Sequence, residues 1–223
     1  MRDDATDLTD LTNLKVETIL TDIGGVVLLP DAVFWERLQT ELGPQASVRP
    51  QDVFYGAEGP WGRCRAGQLG YPAYMREVAD LLGVDAGRLE ALRSECELRL
   101  NGPMVRFLEQ ARARGLQIIA VSNADPMLER RLALKGIRAL FDAVINSSQV
   151  HAAKPDPAIY LAALSVARRR AASCLFIDDK EPNVLQAQAH GIPSVLYAAD
   201  GTFQARLPVE LRPLYGESEA ASG

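Results

Sequence analysis

The sequence has few of the residues on which thiolate-metal, disulfide-bonded and membrane proteins depend. Among its 223 residues are three cysteines, two histidines and four lysines. No apolar run approaches the roughly 20 residues that cross a bilayer, and the acidic N-terminus lacks the basic and apolar regions of a secretory signal. We therefore expect a cytoplasmic protein with reduced cysteines and no membrane partner. Two isolated histidines argue against a histidine-rich zinc centre.

The sequence also lacks a large excess of charge of either sign. The formal net charge is -5 and the pI is near 5.2, so no basic footprint for nucleic acid is present. The length suits one large domain or one domain that carries a smaller insertion. Nothing in the sequence indicates an oligomeric state.

Apolar segments alternate with helix-like segments over most of the chain. The first apolar run, 16–29, reaches a single acid at Asp22 and then breaks at Ile23-Gly24-Gly25. From residue 101 onward, strand-like runs at 116–121, 143–145, 174–177 and 193–197 are separated by helical patterns. Repeated strand–helix units predict an α/β fold: a doubly wound, Rossmann-like or flavodoxin-like parallel sheet with helices on both faces.

Residues 31–100 have helical periodicity and no convincing strand, so we expect a helical domain inserted into the α/β core. The predicted core covers 15–30 and 101–200, and 1–14 and 215–223 are predicted to be flexible tails. The glycine- and aromatic-rich stretch 55–70 contains three candidates for substrate contact, Trp61, Arg63 and Arg65. Ordinary packing of a hinge or of the insert is the alternative interpretation for each of them.

Four predicted strand ends or adjoining loops carry polar residues: Asp22, Ser122-Asn123, Lys154 and Asp178-Asp179. Parallel strands place their carboxyl ends at one edge of the sheet, where ligands bind. Two like charges about 4 Å apart repel by roughly 4 kcal/mol at an effective dielectric near 20, so three acids there require a cation. All-oxygen ligands suit Mg²⁺ together with a substrate phosphate. Ser122 can donate to phosphate oxygens, and Lys154 can neutralise their charge.

The blocks DIGGV, SNA, KPDPAIY and IDDKEPN, in this order, resemble the four motifs of the haloacid dehalogenase-like hydrolase superfamily over about residues 17–196. The resemblance implies that Asp22 is a nucleophile that forms an aspartyl-phosphate. It implies that Ser122 and Asn123 bind the phosphate and that Lys154 is the lysine of the third motif. The helical insertion resembles the cap of one large subfamily, which would close over a small phosphorylated substrate.

The same resemblance implies the metal ligands. Asp22, the backbone carbonyl of Gly24 and Asp179 are expected to hold Mg²⁺, with the backbone of Gly24 and Gly25 also beside the substrate. Asp178 belongs to the same metal group and is expected to hold Lys154 or a metal-bound water. Asn183 is a further candidate for that supporting role.

One position departs from the phosphatase pattern. Most phosphatases of this superfamily have a second aspartate two residues after the nucleophile, where this sequence has Gly24. That group acts as a general acid and base, worth about 10²–10⁴-fold in rate. The chain is then a slower phosphatase, a phosphatase for good leaving groups such as sugar 1-phosphates or acyl phosphates, or a catalytically impaired binding protein. A 2-haloacid dehalogenase is a further alternative, although such enzymes usually lack a metal and the paired acids of the fourth motif.

Overall fold

The structure is a computed structural model that describes residue 11 and residues 14–42 and 49–215. Most of the two predicted tails, at 1–10, 12–13 and 216–223, therefore lies outside the described residues.

Seven strands and eleven helices are present in the described part of the chain. The strands are β1 (Thr18–Thr21), β2 (Leu28–Pro30), β3 (Leu98–Leu100), β4 (Gln117–Ser122), β5 (Ala143–Asn146), β6 (Cys174–Asp178) and β7 (Ser194–Leu196). The helices are α1 (Ala32–Leu42), α2 (Pro50–Tyr55), α3 (Pro60–Arg65), α4 (Tyr71–Leu82), α5 (Ala86–Cys96), α6 (Gly102–Ala113), α7 (Leu128–Leu134), α8 (Ser147–Val150), α9 (Pro157–Ala167), α10 (Glu181–Ala189) and α11 (Phe203–Arg206).

Five of the strands form one parallel sheet in the order β5-β4-β1-β6-β7. β1 is central, and Leu20 lies beside Ile119 on one side and Phe176 on the other. A strand with a neighbour on each side and helices on both faces is buried throughout, and all four residues of β1, including its two threonines, are buried. The predicted α/β parallel-sheet fold is confirmed.

The two faces of the sheet are covered by different helices. Successive side chains of a strand point to opposite faces, so Ile19 belongs to one apolar cluster and its neighbour Leu20 to the other. Phe107 of α6 packs into the first cluster, and Tyr160 of α9 packs into the second. This arrangement leaves the carboxyl edge of the sheet open for a site.

A helical insert, α1 to α5, lies between β2 and β3. These two short strands pair antiparallel, with Leu28 opposite Leu100, and the insert has its own apolar core around Phe34, Phe54 and Tyr74. The expectation of no strand in 31–100 was wrong at β3, because a strand of three residues has no detectable periodicity. The exact division into core and cap domains stays a prediction.

The end of the described chain packs against the sheet domain. Phe203, Leu207 and Leu214 are buried in the first apolar cluster, and the Tyr215 ring lies 5.9 Å from that of Phe107. At the other end, Leu11 and Leu14 are partly buried against the same cluster. Within the described ranges, no helix has both the length and the apolar character needed to span a bilayer.

Candidate active site

Asp22 is the first residue after β1, at the carboxyl edge of the sheet. Its backbone N–H donates to the carbonyl of Ile177 at 2.8 Å, which continues the pairing with β6 for one more residue. The backbone N–H of Ile23 donates to Asp22 Oδ1 at 2.7 Å. The residue is buried, being only 6% exposed, so a charge on its side chain requires compensation.

Lys154 supplies part of that compensation from the loop between α8 and α9. Its Nζ lies 2.9 Å from Asp22 Oδ1 and 2.6 Å from Asp178 Oδ2, and it donates to the carbonyl of Val121 at 2.7 Å. All three hydrogens of the ammonium group are thus engaged. One buried cation therefore bridges the ends of β1 and β6.

The two acids after β6 have different surroundings. Both oxygens of Asp178 are engaged, Oδ2 by Lys154 and Oδ1 by the Lys180 backbone N–H and the Asn183 amide, each at 2.9 Å. Asp179 Oδ1 is buried and accepts no hydrogen bond from the described residues. One oxygen of each of Asp22, Asp178 and Asp179 lies within 4.8 Å of the other two. A cation bound among the three acids would give the unpartnered Asp179 oxygen a partner.

The surroundings of Asp22 and Asp179 disfavour the negative charge on their carboxyl groups. Burial raises the pKa of the Asp22 carboxyl to about 6, with Lys154 opposing the rise and Asp178 adding to it. Burial and the nearby charge of Asp178 also raise the pKa of Asp179. Burial disfavours the charge on Lys154, yet the two carboxylates in contact with it raise the pKa of its ammonium group. Two of the three carboxylates thus contact one lysine that stays protonated, and Asp179 lies beside them without such a contact.

Two glycines leave space next to the acids. Gly25 has a φ of +86°, and a side-chain carbon there would lie 2.4 Å from Asp179 Oδ2, so only glycine fits. A side-chain carbon at Gly24 would meet nothing within 4 Å. The position that carries an acid in related phosphatases is therefore open space in this protein.

Ser122 and Asn123 follow β4 on the neighbouring strand. Ser122 is 3% exposed and lines the cavity over the acids. The Asn123 side chain donates to the Lys154 carbonyl at 2.8 Å and accepts from the Lys154 backbone N–H at 2.7 Å. Both ends of this amide hold the lysine loop, which is a positioning contact that the sequence pattern did not indicate.

The cavity itself has a volume of about 280 Å³ and lies between the sheet edge and the helical insert. Of the sequence-predicted site residues, it brings together Asp22, Gly24, Gly25, Ser122, Asn123, Lys154, Asp179 and Asn183. Asp178 does not line the cavity and has no exposed surface.

The insert contributes a second wall to the cavity. Trp61 and Arg65 line it, whereas Arg63 is paired with Glu77 of the insert. Four further residues that no sequence motif indicates also line the cavity: Tyr55, Arg93, Glu97 and Arg131. The four-residue spacing of Arg93 and Glu97 indicates a pair on one helix face, but nothing in it indicates burial.

A family model for haloacid dehalogenase-like hydrolases matches residues 16–191. The chain belongs to this family. The match runs from β1 to the end of α10 and includes the insert but not β7. The family assignment predicted from the four motifs is confirmed. The assignment of the insert to one particular cap subfamily stays a prediction.

Two curated relatives show how far the similarity extends. The Escherichia coli GMP/IMP nucleotidase YrfG is 28% identical over 183 residues, which are 79% of this chain and 80% of that protein. Mouse acyl-CoA dehydrogenase family member 10 is 27% identical over 188 residues, which are 79% of this chain but only 17% of the mouse protein. The chain therefore corresponds to a small part of the mouse relative and to most of the bacterial one.

A solved structure shares the fold. The haloacid dehalogenase-family enzyme bt-2542 from Bacteroides thetaiotaomicron, in complex with magnesium and inorganic phosphate, superposes with a TM-score of 0.70 at 19% identity. The alignment covers 83% of this chain and 96% of the other. The matching family is one of hydrolases, and the Escherichia coli relative is named as a nucleotidase.

Proposed function

We propose that the protein is a Mg²⁺-dependent phosphatase that hydrolyses a small phosphorylated metabolite through Asp22. The observation that carries this proposal is the cluster of three carboxylates with a single buried lysine and one unpartnered carboxylate oxygen, on Asp179. A divalent cation balances the excess negative charge of this arrangement, and the bound cation would in turn hold a substrate phosphate. The match to a GMP/IMP nucleotidase over most of its length supports a phosphate ester as substrate.

The residues fit a magnesium ion. Asp22 and Asp179 present carboxylate oxygens to the cavity, and the Gly24 carbonyl is the third protein ligand that we propose. Asp178 has both oxygens engaged and holds Lys154 and Asn183 in place, which is the supporting role that such outer partners have. When bound, the ion would supply positive charge for the phosphate oxygens and the nucleophile.

The reaction follows from the positions of these side chains. An Asp22 oxygen attacks phosphorus, a bond to Asp22 forms, and the bond to the leaving oxygen breaks. Lys154 holds Asp22 in position and stays charged, because its pKa is raised. The Ser122 hydroxyl donates to a phosphate oxygen, while Asn123 holds the lysine loop through its side chain. Water then attacks the phosphoryl group on Asp22, releasing phosphate and restoring the carboxylate.

The open space at Gly24 narrows the substrate class. No side chain at this position protonates the leaving oxygen, so the proton comes from solvent or from the insert. Substrates with good leaving groups, such as sugar 1-phosphates and acyl phosphates, need this proton least. We therefore propose that they are turned over faster than simple alkyl phosphates.

The test is a phosphate-release assay on a panel of sugar 1-phosphates, acyl phosphates and purine nucleoside monophosphates, with Mg²⁺ and with chelator. We expect release only with Mg²⁺, and Asp22→Asn should abolish it. Asp80→Asn, which changes an exposed carboxylate on α4, is the matched control and should keep full activity. A complete lack of release across the panel would contradict the proposal.

A catalytically impaired binding protein is the alternative that Gly24 specifically favours. It predicts that phosphorylated ligands bind with Mg²⁺ without turnover. Halide release from a 2-haloacid in chelator would instead indicate a dehalogenase. The acid cluster speaks against that activity, since without a metal its carboxylates repel one another.

A further inference from the structure

A buried ion cluster joins the helical insert to the sheet domain. It consists of Arg93 of α5, of Glu97, which directly follows α5, and of Asp125 and Arg131, which lie before and within α7. Arg93 Nη2 lies 3.1 Å and Arg131 Nη2 lies 2.9 Å from the same oxygen, Asp125 Oδ2. Glu97 Oε2 lies 2.8 Å from Arg93 Nε and 4.0 Å from Arg131 Nε. The two arginines and two acids balance in charge.

The cluster is the electrostatic connection between the two parts of the protein. The Arg93, Glu97 and Asp125 side chains are 3%, 3% and 1% exposed. Among the described residues, no ion pair outside this cluster joins the insert to the sheet domain. On the other side of the insert, the contact between His151 Nδ1 and the Ala66 carbonyl is a longer one, at 3.4 Å.

Arg93 is firmly held on the insert side. Its guanidinium carbon lies 5.4–5.7 Å from the ring centres of Phe54, Tyr71 and Tyr74, a range in which cation–π attraction operates. The arginine therefore moves together with the core of the insert. If the insert swung away, Asp125 would lose one of the two arginines that pair with it and Arg93 would lose its acid across the contact, and separating a buried ion pair in this way is costly.

The cluster also borders the site. Arg93, Glu97, Asp125 and Arg131 line the same cavity as Asp22 and Lys154. Asp125 comes two residues after Asn123, which holds the lysine loop. A displacement of the insert at this contact would therefore uncover the carboxylates from their open side.

We propose that Arg93 and Asp125 are positioning residues that hold the insert closed over the carboxyl edge of the sheet. The structural part of this proposal stands by itself, and the kinetic part rests on the proposed phosphatase function. Neither residue is assigned a chemical step, because each acts through the position of the insert.

The structural test measures the exposure of Trp61, which lies on the insert wall of the cavity. Only two tryptophans are present, so Trp35→Phe leaves Trp61 as a single fluorescent probe. In that background, Arg93→Gln and the nearly isosteric Asp125→Asn should each raise the acrylamide quenching constant at least about twofold, since a weakened contact shifts the population toward open forms. Acrylamide is neutral, so the altered charge does not bias the result.

The matched control is Arg37→Gln. Arg37 pairs with Glu95 at 2.8 Å, which is also the distance between Arg93 and Glu97. Unlike the cluster, this pair is exposed and lies entirely within the insert. Quenching in the control should equal that of the parent protein. An unchanged quenching constant in folded Asp125→Asn protein would overturn the proposal. If Arg93→Gln does not fold, Asp125→Asn alone provides the test.

The kinetic test uses the best substrate of the phosphate panel. Loss of the cluster should raise KM by roughly tenfold and change kcat less, because the closed form that binds substrate becomes less populated. A purely structural role would lower the melting temperature and leave KM unchanged. If the protein has no phosphatase activity at all, the quenching result still tests the closure.

Discussion

Replacing Asp22 by asparagine should stabilise the metal-free protein while it removes the nucleophile. The Asp22 side chain is buried beside Asp178 and Asp179. Lys154 contacts both Asp22 and Asp178. Asparagine has nearly the same shape as aspartate but carries no charge. The substitution therefore isolates the energetic cost of placing this carboxylate in the site.

The size of the effect follows from the pKa of Asp22. Burial raises it from 3.8 to about 6 in the folded protein, and each tenfold change in proton affinity corresponds to about 1.4 kcal/mol. The raised pKa means that Asp22 contributes its full stability below about pH 4 and loses it as the pH rises through 6. Above pH 7 the ionised carboxylate costs about 3 kcal/mol, which corresponds to roughly 6–12 °C in melting temperature for a chain of this size.

The assay is thermal unfolding in chelator at pH 4 and at pH 8. We expect Asp22→Asn to melt several degrees above the natural protein at pH 8, with little difference at pH 4. Added Mg²⁺ should narrow the gap at pH 8, because the cation stabilises the ionised carboxylate and asparagine binds it poorly. Lys154 does not affect this window, since its raised pKa lies well above it.

The matched control for this experiment is again Asp80→Asn. Asp80 is exposed on α4, so its replacement should leave the melting temperature unchanged at both pH values. An Asp22→Asn protein that melts at or below the natural protein at pH 8 in chelator would refute the reasoning. It would mean that Lys154 fully compensates the buried charge.

Three further substitutions test individual parts of the site. Gly24→Asp fills open space and should raise phosphatase kcat by about 10²-fold or more on poor leaving groups; an unchanged kcat would argue against a missing acid. Arg65 is a half-buried cavity residue with no ion pair in the described chain. Arg65→Ala should raise KM about tenfold, whereas the control Arg63→Ala should leave KM unchanged. Gly25→Ala collides with Asp179, so Mg²⁺ affinity measured by calorimetry should fall; unchanged affinity would exclude Asp179 as a ligand.

These predictions share one physical basis. The site contains negative charge that the surrounding residues do not neutralise. The carboxylates that bind the cation therefore destabilise the protein when the cation is absent. Binding sites that depend on a cation or an anion generally gain stability when the ligand arrives. Mg²⁺ and phosphate added together should therefore raise the melting temperature of the natural protein. Phosphate added with chelator, and so without Mg²⁺, should raise it only slightly.

The sequence alone determined the sheet and the convergence of its polar ends. An apolar run that stops at an acid is readable locally, and the alternation of strands and helices requires those strands to be parallel. Since parallel strands share one carboxyl edge, Asp22, Ser122 and Asp178 had to approach one another even though more than 150 positions separate the first and last. The segment that carries Lys154 follows β5, another strand of the parallel sheet, and so leaves the sheet at the same edge.

Only the tertiary structure decided how the insert closes the site. The β2–β3 pair joins segments about 70 residues apart, and each strand is too short to have a period. Arg93 and Glu97 are neighbours on a helix by spacing, but their contacts with Asp125 and Arg131 depend on how α5 packs against α7. Such contacts arise from the docking of two separately packed cores, and no local pattern of residues encodes that geometry.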